Sequence, residues 1–217
     1  KFLLGEVWED AVTKVSYGAR RQYALGDALD SVMNYPLRDA LISFLTGRST
    51  ARALADLLLS QRLNYPQPLY YALMNLTASH DVARTRSALA LDFDPRSRTR
   101  AQLAALDVTD AMAARGAQLQ PLAAAVQFWL PGIPSIYYGD EAGRQGFEDP
   151  FNRRTYPWGA EDREILAFYR RLCEVRADSE TLIRGELRFD TGENDALLRY
   201  ERTLGRSRII VLVNRSR

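Results

Sequence analysis

Lys1-Phe2-Leu3-Leu4-Gly5-Glu6-Val7-Trp8-Glu9-Asp10 sets an apolar run against a glycine, a carboxylate and a tryptophan. Buried parallel strands read as continuous apolar runs, because helices cover both their faces. In folds built from such strands, reactive groups sit at the strands' C-terminal ends. The stretch therefore predicts a strand that delivers Glu6 to a site with Trp8 beside it. Glu9 has no such placement and is expected to face solvent.

Working outward, the pattern repeats. Leu29 to Met33 reads as a second short strand, and residues 10–26 before it as a loop with a short helix. Pro36 suits the first turn of a helix, where its missing N–H costs nothing, and Gly47 suits the end of that helix near Thr46. Ser49 and Thr50 are N-cap residues for a further helix with Ala51, Leu54, Ala55 and Leu58 on one face, broken at Asn64-Tyr65-Pro66. Leu73 to Ser79 is a third strand and delivers His80 and Asp81. Residues 84–130 read as helical, with a turn at Asp92 to Pro95 and with Gly116 dividing two helices, the second running from about Pro121 to Leu130. Ile133 to Gly139 is a fourth strand, followed by Asp140 and Glu141. A loop of twenty residues then holds Asp149-Pro150-Phe151-Asn152-Arg153-Arg154, and long loops in compact domains commonly carry function. The last helix spans Asp162 to Ala177.

After that helix the period changes. Glu186 to Phe189, Ala196 to Glu201 and Arg208 to Val213 are strands with no helix between them, parted by turns such as Thr191-Gly192-Glu193-Asn194, which predicts an antiparallel sheet. The expected class is α/β: four strand–helix units, half of an eightfold TIM barrel, over residues 1–179, then the start of an antiparallel β domain over residues 180–217. A doubly wound sheet fits the alternation as well, but no glycine-rich phosphate fingerprint follows any strand.

Composition narrows the function. The chain has 217 residues, 47% of them hydrophobic, and 29 basic against 27 acidic side chains, for a net charge of +2. That balance gives no electrostatic case for nucleic acid. Arg96-Ser97-Arg98-Thr99-Arg100 is short, lacks interleaved aromatics and reads as a solvated helix start. Cys173 is the one cysteine, so no internal disulfide forms, and it reads as a packing residue. His80 is the one histidine, which excludes a multi-histidine metal centre within these residues. No run approaches the ~20 apolar residues of a membrane span. Neither nucleic acid nor membrane is an expected partner, and no cofactor or metal is expected.

Three of the four parallel strands end in carboxylates: Glu6, Asp81 and Asp140. Convergent carboxylates without a histidine cluster suit acid–base work on a neutral polyhydroxy substrate. Glycoside hydrolysis needs two such groups, one to protonate the leaving oxygen and one to attack the sugar or activate water. Trp8, Tyr35 and Tyr137 could offer faces for sugar rings.

Gly5-Glu6-Val7-Trp8, Asp30-Ser31-Val32-Met33-Asn34-Tyr35-Pro36, Ser79-His80-Asp81 and Leu130-Pro131-Gly132-Ile133-Pro134-Ser135-Ile136-Tyr137-Tyr138-Gly139-Asp140-Glu141 resemble, in this order, the second half of an α-amylase family enzyme. The likeness is greatest to the neopullulanase, cyclomaltodextrinase and maltogenic amylase group, which Asn152-Arg153-Arg154 and Pro157-Trp158 also match. The resemblance implies a (β/α)8 barrel followed by a β-sandwich, and α-glucan oligosaccharides as substrates. By resemblance Glu6 is the general acid/base, with burial beside Trp8 expected to favour its protonated form. Asp81 stabilises the oxocarbenium-like transition state, His80 binds sugar hydroxyls, and Asp149 with Arg153 grips a donor-side glucose. Asp140 is expected to fix local structure, and Arg84 either contacts sugar or pairs with Asp81. Val82 stands where most members carry threonine.

The family's nucleophile is an aspartate ending the fourth barrel strand, and its calcium ligands, where it has them, also lie mostly outside the part resembled. The chain starts inside a strand-like run without methionine and stops after another, so both ends are expected to be cuts. The piece alone is then expected to be inactive and to self-associate through open strand edges, and the expected compartment is the cytoplasm. Two alternatives stand beside hydrolysis: a non-catalytic amylase-like binding or assembly protein, and a transglycosylase of the same family.

Overall fold

The computed structural model describes residues 1–190 and 192–216. Thr191, the first residue of the expected turn at 191–194, and Arg217, the last of the expected β domain, lie outside the described residues.

Four short parallel segments stand side by side in chain order. β1 (Leu4–Gly5) pairs with β4 (Ser31–Val32) in the register Leu4↔Ser31 and Gly5↔Val32. A parallel bridge, Met33↔Met74, joins the end of β4 to β5 (Met74–Leu76), which pairs with β6 (Ile133–Ser135). Between β1 and β4 the expected helix is absent. A hairpin of β2 (Val15–Ser16) and β3 (Ala19–Arg20) stands there, turned by Tyr17 and Gly18 at φ 53° and 75°. Positive φ at both central residues matches the right-handed strand twist of a two-residue hairpin, and Gly18 takes it without strain.

The helical crossover from β4 to β5 follows the sequence closely. α1 (Tyr35–Thr46) is capped by Asn34, whose side chain accepts from the Leu37 N–H, and it ends at Gly47 in the left-handed region. α2 (Ala51–Asn64) is capped by Thr50, and α3 (Gln67–Tyr70) follows it. Beneath the strands a buried amide chain ties these pieces together: Gln61 donates to Asn34 Oδ1 (2.6 Å), and Asn34 donates to Asn75 Oδ1 (3.0 Å).

The β5–β6 crossover holds α4 (Thr85–Ala90), α5 (Arg100–Ala104) and α6 (Asp110–Trp129). α6 is one helix, not two. Gly116 lies within it because α4 crosses there, and a Cβ at Gly116 would stand 2.3 Å from the Arg86 carbonyl oxygen. Pro121 also lies inside α6. The backbone bond it removes is offset by burial of Ala123 to Phe128 beyond it.

α7 (Arg163–Ala177) is capped by Asp162. The short α8 (Glu180–Arg184), too brief to show a period in the sequence, precedes an antiparallel sheet of β7 (Glu186–Phe189), β8 (Leu197–Leu204) and β9 (Ser207–Asn214). Its inward residues Leu198, Tyr200 and Val211 share one hydrophobic core with Leu41 and Phe44 of α1, Leu54 of α2 and Val126 of α6. Arg202 is buried at this junction and donates to the carbonyls of Trp129 (2.6 Å) and Gly185 (2.8 Å). No helix among the described residues is long and apolar enough to cross a membrane.

Candidate active site

The parallel segments end on one side of the molecule, and the loops after β1, β5 and β6 carry the expected residues. Glu6 follows β1 directly. Its strand is held at Leu3, whose N–H donates to Asp30 Oδ2 (2.7 Å) and whose carbonyl accepts from Ser31. His80 and Asp81 lie in the turn after β5. The Asp81 N–H donates to Ser79 Oγ (3.1 Å), which fixes the turn locally. Donor atoms of Glu6, His80 and Asp81 come within 4.8 Å of one another.

The remaining expected residues join this group. His80 Nε2 lies 3.1 Å from Asp81 Oδ2. The Arg153 guanidinium reaches Asp81 Oδ1 (3.4 Å) and Asp149 Oδ1 (2.7 Å), bringing the loop after β6 against the turn after β5. Trp8 stacks on Tyr35 with ring centroids 4.1 Å apart and planes 5° apart. Trp8 is 42% exposed, so its other face is open to a ligand. Beside Glu6 and Trp8 is a cleft of about 410 Å³ edged by Lys14, Tyr23 and Leu29.

Three expectations are corrected. Glu6 is exposed, not buried. Among the described residues β1 pairs only with β4, so one flank of the carboxyl is uncovered. Tyr35 is 1% exposed and offers no sugar-stacking face. Instead its hydroxyl lies 3.5 Å from Glu6 Oε1 and 3.1 Å from Ser79 Oγ, bridging the two acidic strand ends. Burial pushes this phenol above its ordinary value, with the Ser79 hydrogen bond opposing, so it stays a neutral donor. Arg84 neither faces the cleft nor pairs with Asp81. It is fully buried and donates to Asp140 Oδ1 (3.2 Å), the Tyr138 carbonyl (2.7 Å) and the Asn152 carbonyl (2.8 Å), beneath the Tyr137 and Tyr138 rings.

Asp140 is buried beneath the loop, as its expected local role requires. It accepts from Thr85 Oγ1 (2.5 Å) and the Thr85 N–H (3.2 Å), which ties the start of α4 to the end of β6. Burial pushes its carboxyl up, while Thr85 and Arg84 pull it back. Val82 is buried against Tyr35 and Leu76, so an apolar side chain fits the position where threonine was expected.

Two contributors had no assigned role in the sequence. Ser79 links Tyr35 to the Asp81 backbone, and Asn152 donates to three carbonyls of the same turn. Asn152 lay inside a quoted motif, but nothing in its one-dimensional surroundings shows what its amide meets.

The Glu6, His80 and Asp81 donors are spaced like metal ligands. Two carboxylates and an imidazole do not supply the six to eight oxygens, roughly, that calcium takes. Arg153 already presents a positive charge to Asp81. The set suits polar binding of hydroxyls: carboxylate acceptors, imidazole and guanidinium donors, and one aromatic face.

No protein-family model matches the chain. An amylopullulanase of Thermoanaerobacter thermohydrosulfuricus is 35% identical over 196 residues, covering 85% of this chain and 12% of that protein. A cyclomaltodextrinase of Geobacillus thermopakistaniensis is 30% identical over 219 residues, covering 99% of this chain and 32% of that protein. The fold is similar to that of ligand-free cyclic α-maltosyl-(1→6)-maltose hydrolase from Arthrobacter globiformis. The TM-score there is 0.78 at 25% identity, over 98% of this chain and 42% of that one. The chain thus spans between 12% and 32% of the length of these two curated relatives.

Proposed function

We propose, for a chain that belongs to the α-amylase family of glycoside hydrolases, that it carries the acid/base side of a retaining α-glucan hydrolase site. The observation that carries this is the convergence of Glu6, His80 and Asp81 within 4.8 Å at the ends of parallel segments, with Arg153 bound to Asp81 and Trp8 open beside them. In this reading residues 1–179 are half of a (β/α)8 barrel and residues 180–217 begin the β domain. The support is the run of parallel neighbours β1, β4, β5 and β6 in chain order, without the reversal of a doubly wound sheet.

Glu6 protonates the glycosidic oxygen as the C–O bond lengthens, and later takes a proton from the incoming water. Asp81 offers negative charge to the oxocarbenium-like sugar and accepts its hydroxyls. His80 and Arg153 donate to hydroxyls, and the open face of Trp8 stacks on a ring. Glu6 and Asp81 are too close to hold an attacking water between them, since inverting pairs stand about 6.5–9.5 Å apart. That closeness is nearer the roughly 5–5.5 Å spacing of a retaining pair. It is the family resemblance, not this spacing, that assigns the nucleophile of the covalent glycosyl intermediate to an aspartate ending the fourth barrel strand, and Asp81 to transition-state stabilisation. Substrates are α-1,4-linked, and by extension α-1,6-linked, glucans of the kind the relatives' names indicate. The 217 residues by themselves give no turnover.

The test compares three proteins on maltotriose and β-cyclodextrin: the complete protein that carries this sequence, its Glu6→Gln variant, and residues 1–217 alone. The complete protein is expected to release products of retained anomeric configuration. Glu6→Gln should lower kcat by roughly 10²- to 10⁴-fold. Residues 1–217 alone should stay at background. Inverted products, or a Glu6→Gln enzyme as fast as its parent, would overturn the reading.

A further inference from the structure

Asn152 is fully buried, and its side-chain amide does one unusual thing. Nδ2 points into the turn after β5 and donates to the carbonyls of Ser79 (3.1 Å), His80 (3.0 Å) and Val82 (2.9 Å). These three carbonyls surround Asp81, whose own N–H is held by Ser79 Oγ. The Asn152 backbone carbonyl accepts from the buried Arg84, so the clamp is itself anchored. The next residue is Arg153, which bridges Asp81 and Asp149. A second link between the two loops, Arg84 N–H to the Gly146 carbonyl at 2.9 Å, lies just beyond.

The chemistry requires an amide, whose two N–H groups are shared among the three carbonyls. Three converging carbonyl oxygens need a donor, and a carboxylate there would be repelled. Without the side chain the Ser79 and Val82 carbonyls, whose bonds to Asn152 are buried, lose their partner, at the cost of a buried unsatisfied group. Small displacements of positioned groups are expensive in catalysis: a misplacement of about 1 Å can cost about 10²-fold in rate.

We propose that Asn152 is a positioning residue. It locks the His80–Asp81 turn to the Asp149/Arg153 loop, so that Asp81 and Arg153 meet the same sugar ring in fixed relative geometry. The proposal rests on the reading of Asp81 and Arg153 as substrate-facing groups.

The experiment uses the complete protein that carries this sequence, wild type and Asn152→Ala, with maltotriose as substrate. Hydrogen exchange is followed in parallel on peptides covering residues 77–86. Asn152→Ala is expected to lower kcat by roughly 10- to 100-fold. KM should move by less than about threefold, the split expected when transition-state contacts are lost and ground-state binding is kept. The Asp81 and Arg84 amides should exchange faster than in wild type. A folded variant with wild-type kcat and wild-type exchange at these amides overturns the proposal, even if its melting temperature falls, because that is what a merely stabilising side chain would give. If Asn152→Ala does not fold, Asn152→Ser takes its place, since serine can satisfy only one of the three carbonyls. Wild-type kcat in Asn152→Ser is then equally fatal. If the wild-type protein cleaves no α-glucan, the reading of function fails, and the exchange arm alone decides the clamp: faster exchange supports it and unchanged exchange overturns it.

Discussion

Arg84 carries a charge with no solvent exposure, and three carbonyl or carboxylate groups surround it. Such an ion pair contributes little net stability over an apolar pair, but breaking it strands the partner. Arg84→Met should therefore lower stability by about 3–5 kcal/mol in chemical denaturation, by leaving Asp140 unpaired. Adding Asp140→Asn to Arg84→Met should recover part of that loss. A single-variant cost below about 1 kcal/mol would contradict this account of the pair. Tyr200 is the opposite case. Its hydroxyl is buried without a hydrogen-bond partner among the described residues, so Tyr200→Phe should raise stability by about 1 kcal/mol, read as a higher denaturation midpoint at unchanged slope. At this scale the chemical types were readable in the sequence. Glu6, His80, Asp81, Asp149, Arg153 and Trp8 were all named from motifs and all lie in one connected group. Exposure was not readable: Tyr35 and Arg84 are both hidden, because helices and strands distant in sequence cover them.

Among the elements, α4 and α6 show propensity overruled by packing. Gly116 in mid-helix disfavours α6 by about 1 kcal/mol relative to alanine. The same lack of a Cβ lets the Arg86 carbonyl approach to where a Cβ would clash at 2.3 Å. Backbone cannot yield as a side chain can, so Gly116→Ala should destabilise by about 1–3 kcal/mol despite its better helix propensity. Thermal denaturation of the folded variant checks the sign, and a stabilised variant would refute it. This is why Gly116 read as a break in the sequence. A glycine required by a neighbour and a glycine that ends a helix look alike in one dimension. The helices with clear caps, α1 at Asn34 and Gly47, α2 at Thr50 and α7 at Asp162, were legible because their signals are local. The β2–β3 hairpin was missed because four strand residues in two pairs carry almost no period.

Across the whole molecule, tyrosines anchor four separate cores: Tyr35, Tyr65 with Tyr70, Tyr169, and Tyr200. Burial raises the pKa of every one of these phenols. The sign follows from linkage. An unfolded tyrosine loses its proton near pH 10, while the folded phenol keeps it, so above that pH the unfolded state binds fewer protons and stability falls. The contribution is complete below about pH 10 and is lost as pH rises towards the raised folded values. The urea midpoint should therefore drop above about pH 10, with the tyrosinate absorbance of these five buried phenols, out of eleven tyrosines in the chain, appearing together with unfolding rather than before it. Tyrosinate that appears fully in the folded protein would contradict the burial of these rings. The sheet β7–β9 should melt in the same transition, since Leu198, Tyr200 and Val211 share their core with α1, α2 and α6.

Sequence by itself determined the order of the parallel strands and of the capped helices, the change from alternating strand–helix to antiparallel strands, and the residue types that gather around Glu6. These depend on neighbours a few residues apart, and local backbone and capping preferences act over that range. Only the tertiary structure decided which of those residues face the cleft. It buried Tyr35 and Arg84, left Glu6 exposed, and put the amide of Asn152 against the turn that carries Asp81. Those outcomes depend on contacts between residues 29 to 73 positions apart, such as Tyr35 with Glu6 and Asn152 with Ser79. No local pattern encodes where two such segments will touch. The opening stretch named Glu6, and the fold gathered Asp81, His80 and Arg153 around it and added the clamp of Asn152.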